Sequence, residues 1–159
     1  MNRLDRLLLL SLLLVVLLSG CAHKVTDERY ENCKNAFSVV NEFALQLEEG
    51  DYWFSLDEDQ KVSGVYWYTD ERTRHFLNIP DDAVNGINEI RHHIRYDFSF
   101  ISISDGMIIY GGIGPEIYVY SKDGSFPQFF LNEDTVQFKT YEVDQNWYRL
   151  RRNGYSLIS

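Results

Sequence analysis

The sequence predicts one α+β domain, in which an N-terminal amphipathic helix and a second helix pack on a mainly antiparallel meander sheet with tight hairpin turns. Three observations predict it: apolar residues recur at helical spacing in two segments, other runs are rich in aromatic and β-branched residues, and Asp-Gly or Asn-Gly pairs separate the later runs. The chain has 159 residues, 45% of them hydrophobic and 25% charged. This composition is too apolar for disorder, and the length suits one domain.

The first helix is predicted over residues 26–49, because apolar residues recur there at alternating steps of three and four. Thr26 or Asp27 can cap its start, and Gly50 can end it in a left-handed conformation. We expect this helix to form part of the core. Its apolar stripe consists of Tyr30, Cys33, Phe37, Val40, Ala44 and Leu47.

Two strands are predicted next, over residues 51–56 and 62–69, on either side of the acidic turn 57–59. A second helix is predicted from Pro80 to about Ile94, since proline suits the first position of a helix. From residue 96 onward the pattern indicates strands, with tight turns at 105–106, 123–124 and 153–154. The strands of this meander are predicted at residues 98–104, 107–110, 116–120, 135–143, 147–151 and 155–158.

The first twenty residues have the order of an export signal. Arg3 and Arg6 precede an apolar run over residues 7–18, which is too short to cross a bilayer that needs about 20 residues. The run ends in Leu18-Ser19-Gly20-Cys21, which closely resembles the lipobox of bacterial lipoproteins.

The lipobox resemblance implies a chain in three parts: a cleaved signal at 1–20, a lipidated N-terminus and short tether at 21–25, and a single domain at 26–159. It makes Cys21 the lipid-attachment residue and first residue of the mature chain, anchored in the bacterial envelope by two or three acyl chains. Ala22 follows the cysteine where aspartate commonly means inner-membrane retention, so the resemblance implies the outer membrane for a Gram-negative source.

Charge and cysteine content limit the partners and the chemistry. The net charge is −9, and removal of the signal leaves the mature part at −10, which argues against nucleic acid as a partner. Cys33 is then the one remaining thiol, and its place on the helix stripe predicts an inert core position.

Motifs for catalysis and for metal binding are missing from the sequence. No serine lies in a Gly-x-Ser-x-Gly elbow, and His92 and His93 lack the spacing of a helical zinc site. The glycine cluster 111–114 leads into a strand, where a phosphate-binding loop would need a helix. We therefore predict no catalytic residue, metal or cofactor, although the carboxylates at 57–59 and 81–82 leave a small envelope hydrolase as an alternative.

Aromatic residues predict a binding surface. Trp53, Trp67 and Trp147 each stand beside a tyrosine in a predicted strand, and successive strand residues point to opposite faces of a sheet. Burial of these rings under the second helix or at a curled sheet edge is the alternative. We predict that at least two of the three tryptophans share a partly exposed patch beside the acidic turn. The turn residues that would attract a basic protein are Asp57, Glu58 and Asp59.

These features predict a membrane-anchored, non-enzymatic protein-binding module, for which an immunity or inhibitor protein against a basic toxin or hydrolase is one form. The alternative is a structural accessory subunit of an outer-membrane or other envelope assembly.

Overall fold

A computed structural model describes residues 26–69, 73–94, 98–112, 114–125 and 138–152. The export signal, Cys21, the tether, the turn at 153–154 and the strand predicted at 155–158 lie outside these residues. The described part contains two helices, α1 (Glu28–Ala44) and α2 (Asp81–His93), and eight strands. The strands are β1 (Gly50–Leu56), β2 (Val62–Tyr68), β3 (Arg74–Leu77), β4 (Phe100–Ser104), β5 (Met107–Gly111), β6 (Glu116–Ser121), β7 (Phe138–Asp144) and β8 (Trp147–Arg152).

The eight strands form one antiparallel sheet in the order β3-β2-β1-β4-β5-β6-β8-β7, so the predicted α+β class is correct. The sheet is not a simple meander, however. β1 pairs with β4 across the centre, and β8 lies between β6 and β7. The short edge strand β3 was not predicted, and α1 ends at Ala44, five residues before the predicted Glu49.

The topology contains two similar units. Each begins with a helix and continues with a three-stranded meander: α1 with β1–β3, and α2 with β4–β6. The units join through β1 and β4, and each helix contacts strands of the other unit. The side chain of Asn41 in α1 accepts a hydrogen bond from the Tyr110 hydroxyl of β5. The side-chain oxygen of Asn88 in α2 accepts one from the backbone N–H of Val62 in β2.

Both helices cover one face of the sheet, called here the helix face. They cross closely at Gly86, where a Cβ would lie 2.9 Å from Val40 Cγ2 and 3.3 Å from the Ala36 carbonyl oxygen. Beneath α1 the core is a cluster of five rings with centroids 5.0 to 6.2 Å apart in the pairs that contact: Tyr30, Phe37, Tyr110, Tyr118 and Trp147. Burial raises the pKa of Tyr110 and of Tyr118, so both phenols stay neutral.

The start of α1 is held by Asp27. One carboxylate oxygen accepts hydrogen bonds from the backbone N–H groups of Arg29 and Tyr30, which makes Asp27 the N-cap. The other oxygen lies 3.0 Å from Arg149 Nη1 and accepts a hydrogen bond from the Tyr118 hydroxyl. The first turn of α1 is therefore fixed to β6 and β8.

The predicted burial of Cys33 is confirmed: its side chain is fully buried. The thiol donates to the Arg29 carbonyl oxygen, at a point where the backbone departs from helical angles and α1 kinks. Burial raises the pKa of this thiol to about 12, as expected of an inert core cysteine.

Candidate protein-binding surface

An aromatic patch lies on the outer face of the sheet, the face away from the helices. Side chains alternate between the faces along each strand, and the pairing of neighbouring strands brings the outward-facing rings of β1–β4 together. The centroids of Trp53 and Phe100 are 5.1 Å apart, and those of Tyr66 and Phe76 are 5.7 Å apart. We define the aromatic patch as Trp53, Tyr66, Tyr68, Phe76 and Phe100.

Three members of the patch are well exposed to solvent. Trp53 is 38%, Tyr68 48% and Phe76 61% exposed. The other half of the outer face differs, because Val119 and Leu150 there are fully buried in a small second cluster. Within the described part of the sheet, the exposed aromatic area thus lies in the half that β1–β4 form. Contiguous exposed apolar surface on a folded domain is typical of an interaction site.

Arg74 of β3 extends the patch. Its guanidinium carbon lies 4.2 Å from the centre of the Tyr66 ring, and Nη2 donates to the Tyr68 hydroxyl at 3.3 Å. This hydrogen bond lowers the pKa of Tyr68 and raises that of Arg74. The patch therefore holds a cation over its aromatic rings, in a cation–π arrangement.

Two glycines lie beside rings of the patch. Phe100 lies across Gly111 of the neighbouring strand, where an added Cβ would come within 2.5 Å of Phe100 Cζ. Gly64 lies beside Phe76, but an added Cβ there would be 3.6 Å from the nearest ring atom, an ordinary contact distance. Gly111 is therefore required for the position of Phe100, and Gly64 is not required for that of Phe76.

A groove of about 530 Å³ borders the patch where β1 and β2 separate. Pairing between these strands extends only as far as Trp53 and Tyr66, so the first three residues of β1 are not paired with the end of β2. Trp53 and Tyr68 reach the groove from the patch, and Trp67 reaches it from the helix face. The lining is Gln46, Leu47, Glu48, Glu49, Gly50, Asp51, Tyr52, Trp53, Trp67, Tyr68 and Leu77.

Three of the lining residues are carboxylates: Glu48, Glu49 and Asp51. All three are exposed. They form no ion pair with any cation in the described ranges of the chain. The groove therefore combines aromatic walls with a negative charge that no described side chain neutralises.

The tryptophans do not share the surface that the sequence predicts. Trp147 is 7% exposed and packs in the core against Tyr30 and Phe37, so its assignment to a binding patch is wrong. Trp67 is half-buried on the helix face, where its ring stacks on His75. Trp53 alone belongs to the aromatic patch, although Trp53 and Trp67 both line the groove.

The acidic turn lies at the opposite end of the β1–β2 hairpin from the groove, so its predicted position beside a tryptophan patch is also wrong. Asp57, Glu58 and Asp59 are exposed. The Asp57 carboxylate accepts from the backbone N–H groups of Asp59 and Lys61 at 2.9 Å each. Asp57 therefore stabilises the turn, as aspartates at such positions commonly do.

Sequence reasoning missed most of the surface that the fold brings together. The sequence does not identify Tyr68, Phe76, Phe100 or Arg74 as site residues, because they come together only through the pairing of β1 with β4 and of β2 with β3. The alternation along the second predicted strand places Tyr66 and Tyr68 on one face and Trp67 on the other. That alternation is a signal that could have separated Trp67 from the patch.

Neither a metal centre nor a membrane-spanning helix is present in the described ranges. No group of three or more His, Cys, Asp or Glu side chains is placed to hold a metal ion there. None of the helices in those ranges is both long and apolar enough to span a bilayer. His92 and His93 contact each other edge to face at the end of α2.

Comparisons of the chain with protein-family models, with curated proteins and with solved structures give no match.

Proposed function

We propose that this protein is a lipid-anchored lipoprotein of the bacterial envelope that holds a protein partner, without catalysing a reaction, through its aromatic patch. The observation that carries the proposal is the concentration of exposed rings on one surface. Trp53, Tyr68 and Phe76 are each more than one-third exposed. Such exposure suggests binding because protein interfaces are enriched in aromatic residues and arginine. Arg74 supplies the arginine within the same surface.

The anchor in this proposal is Cys21, which follows a basic and apolar export signal. Only residues 22–26 lie between Cys21 and Asp27, so these two residues are at most about 22 Å apart even when the segment is fully extended. Since Asp27 is bound to Arg149 and Tyr118, the tether from the anchor would join the domain beside β6 and β8. Two or three acyl chains on one residue would keep it on the membrane.

The patch would then lie far from the anchor. α1 has 17 residues and is therefore about 25 Å long. The sheet order separates β2 from β8 by five strand spacings, about 24 Å at roughly 4.8 Å each. A partner bound on β1–β4 would thus be held away from the point of attachment and clear of the acyl chains.

The two kinds of partner are a soluble protein, as for an immunity or inhibitor protein, and a membrane-protein assembly, as for an accessory subunit. The net charge of −10 for the mature chain favours a basic soluble partner, because opposite charge accelerates association and selects the partner. We therefore place the immunity or inhibitor class first and the accessory class second.

The test is capture of partners by the tagged full chain, solubilised from its own membranes. Three forms are compared: the wild type, a Tyr68→Asp/Phe76→Asp variant of the patch, and an Asn32→Asp/Asn35→Asp control on the exposed side of α1. Both variants add two negative charges at exposed positions. The proposal predicts that the wild type and the control recover the same partner protein in equal amounts. The patch variant should recover at least fivefold less of it.

The recovered protein distinguishes the two classes. One soluble and basic protein identifies the inhibitor class, and a set of membrane proteins identifies the accessory class. Recovery of the same proteins in the same amounts by all three forms would contradict a binding role for the patch. Labelling with radioactive palmitate tests the anchor separately, since Cys21→Ala should abolish incorporation of label.

A further inference from the structure

We propose that the groove between β1 and β2 receives a lysine or arginine side chain of the partner protein. This inference rests on the proposed function and specifies the chemistry of the partner. The three carboxylates of the groove are Glu48, Glu49 and Asp51, and its aromatic walls include Trp53 and Trp67. Such a site combines the two interactions that bind a long cationic side chain: contact of the methylene groups with rings, and charge attraction at the tip.

The size and position of the groove suit a side chain from a protein already docked on the patch. Its volume of about 530 Å³ lies within the roughly 300 to 1,000 Å³ typical of ligand sites. Trp53 and Tyr68 belong to both the patch and the groove. A segment that crosses the patch can therefore insert a side chain into the groove without moving away from the aromatic surface.

Charge decides between a cationic and an anionic occupant. The three carboxylates carry −3, and the nearest cation on the patch is Arg74, which adjoins Tyr68 from the side of β3. Counted over the described residues, the net local charge of −2 attracts a cation and repels an anion. None of these carboxylates forms an ion pair within the described ranges, so an incoming cation displaces no partner among those residues.

The protein already places a guanidinium over rings of the neighbouring aromatic patch. Arg74 lies 4.2 Å above the centre of Tyr66 and 5.9 Å from that of Tyr68. A second guanidinium or ammonium on the groove side of Tyr68 would make the same kind of contact with Trp53 or Trp67. Tryptophan provides the strongest cation–π contact of the aromatic residues.

The groove can be tested with a small probe and with the three indole N–H signals of the ¹⁵N-labelled full chain in detergent micelles. The probe is a capped pentapeptide with one arginine between glycines, and the matched probe has glutamate in place of arginine. We expect the signals of Trp53 and Trp67 to shift saturably with the arginine peptide at millimolar concentration and low salt. The signal of Trp147, which is 7% exposed, should not move.

Two variants with equal loss of charge locate the effect. Glu48→Gln/Glu49→Gln/Asp51→Asn removes the carboxylates of the groove, and Asp57→Asn/Glu58→Gln/Asp59→Asn removes three carboxylates at the other end of the hairpin. We expect the first to weaken arginine-peptide binding at least fivefold and the second to change it less than twofold. The asparagine at position 57 keeps an acceptor oxygen for the turn.

Three results would overturn the inference: no saturable shift with the arginine peptide, equal shifts with the glutamate peptide, or equal weakening by both variants. Each of these leaves the capture experiment on the patch unaffected. Loss of partner capture by the patch variant together with an unresponsive groove would mean that the patch binds protein and the groove does not.

Discussion

Arg149 on β8 places a guanidinium nitrogen 3.0 Å from Asp27 Oδ2, while the other oxygen of that carboxylate caps α1. One buried aspartate thus joins the first turn of the domain to the sheet. The Asp27 side chain is 2% and that of Arg149 17% exposed. If Cys21 carries the lipid, this pair also connects the anchored end of the chain to the rest of the fold.

We predict that Asp27→Ala destabilises the domain by about 3 kcal/mol, because it removes the cap and takes the buried carboxylate away from the partly buried Arg149 charge. Urea unfolding at pH 7, followed by circular dichroism, measures the change. The control is Asp82→Ala on α2, whose exposed carboxylate accepts from the adjacent Ala83 N–H. The control should cost less than about 1 kcal/mol, and equal losses in the two variants would contradict a special role for Asp27.

Substitution of Gly111 tests how the patch is built. Gly111→Ala would place a Cβ 2.5 Å from Phe100 Cζ, so the ring must move, at a cost of about 1 to 3 kcal/mol. Gly64→Ala is the matched control, since its Cβ meets nothing closer than 3.6 Å and should change stability by less than about 0.5 kcal/mol. Thermal unfolding separates the two. If both alanine variants melt alike, Phe100 does not depend on Gly111.

The three tryptophans should differ in their access to solvent. Trp53 is 38% exposed, whereas Trp147 is 7% exposed within the core. Acrylamide quenching of the full chain should therefore decrease most in Trp53→Phe and least in Trp147→Phe, provided that both variants fold. A larger decrease in Trp147→Phe would contradict the placement of these two rings.

Cys33 should be unreactive in the folded protein. Burial raises the pKa of its thiol to about 12, so thiolate is scarce at pH 8. In the Cys21→Ala chain, where Cys33 is the one thiol, Ellman's reagent at pH 8 should react within seconds in 8 M urea and at least a hundredfold more slowly without urea. Because the folded pKa is raised, this thiol favours the folded state at neutral pH. That contribution should be lost as the pH rises from about 8.5 toward 12.

The elements with local signals could be predicted from the sequence. The helix stripe that includes Phe37 and Val40 is buried as expected. Pro80 directly precedes α2 as its N-cap, one position before the first helical residue where the sequence predicts it, and the turn glycines Gly106 and Gly124 adopt positive φ. Phe100 and Ile101 are adjacent and both apolar, but they point to opposite faces of β4, with Ile101 in the core and Phe100 in the patch.

The pairings between distant strands could not be predicted in this way. The pairing of β1 with β4 and the position of β8 between β6 and β7 leave no signal in residues that are close in sequence. β3 has only four residues and no apolar alternation. The candidate site depends on these pairings: Phe76 reaches Tyr66 only because β3 joins β2, and Phe100 reaches Trp53 only because β4 joins β1. The aromatic runs of the sequence predict a binding surface at the tryptophans. The sheet topology determines which tryptophan is exposed.

Site-specific photo-crosslinking in living cells tests the central claim most directly. A benzophenone amino acid replaces Phe76 in the patch or, as the control, Asn35 on the exposed side of α1. The proposal predicts a discrete protein adduct from position 76. The yield of this adduct should be at least tenfold lower when the probe is at position 35, and the Tyr68→Asp substitution should lower the yield from position 76. Adducts of equal yield from both positions, or adducts from position 76 to lipid alone, would contradict the claim that this surface holds a protein partner.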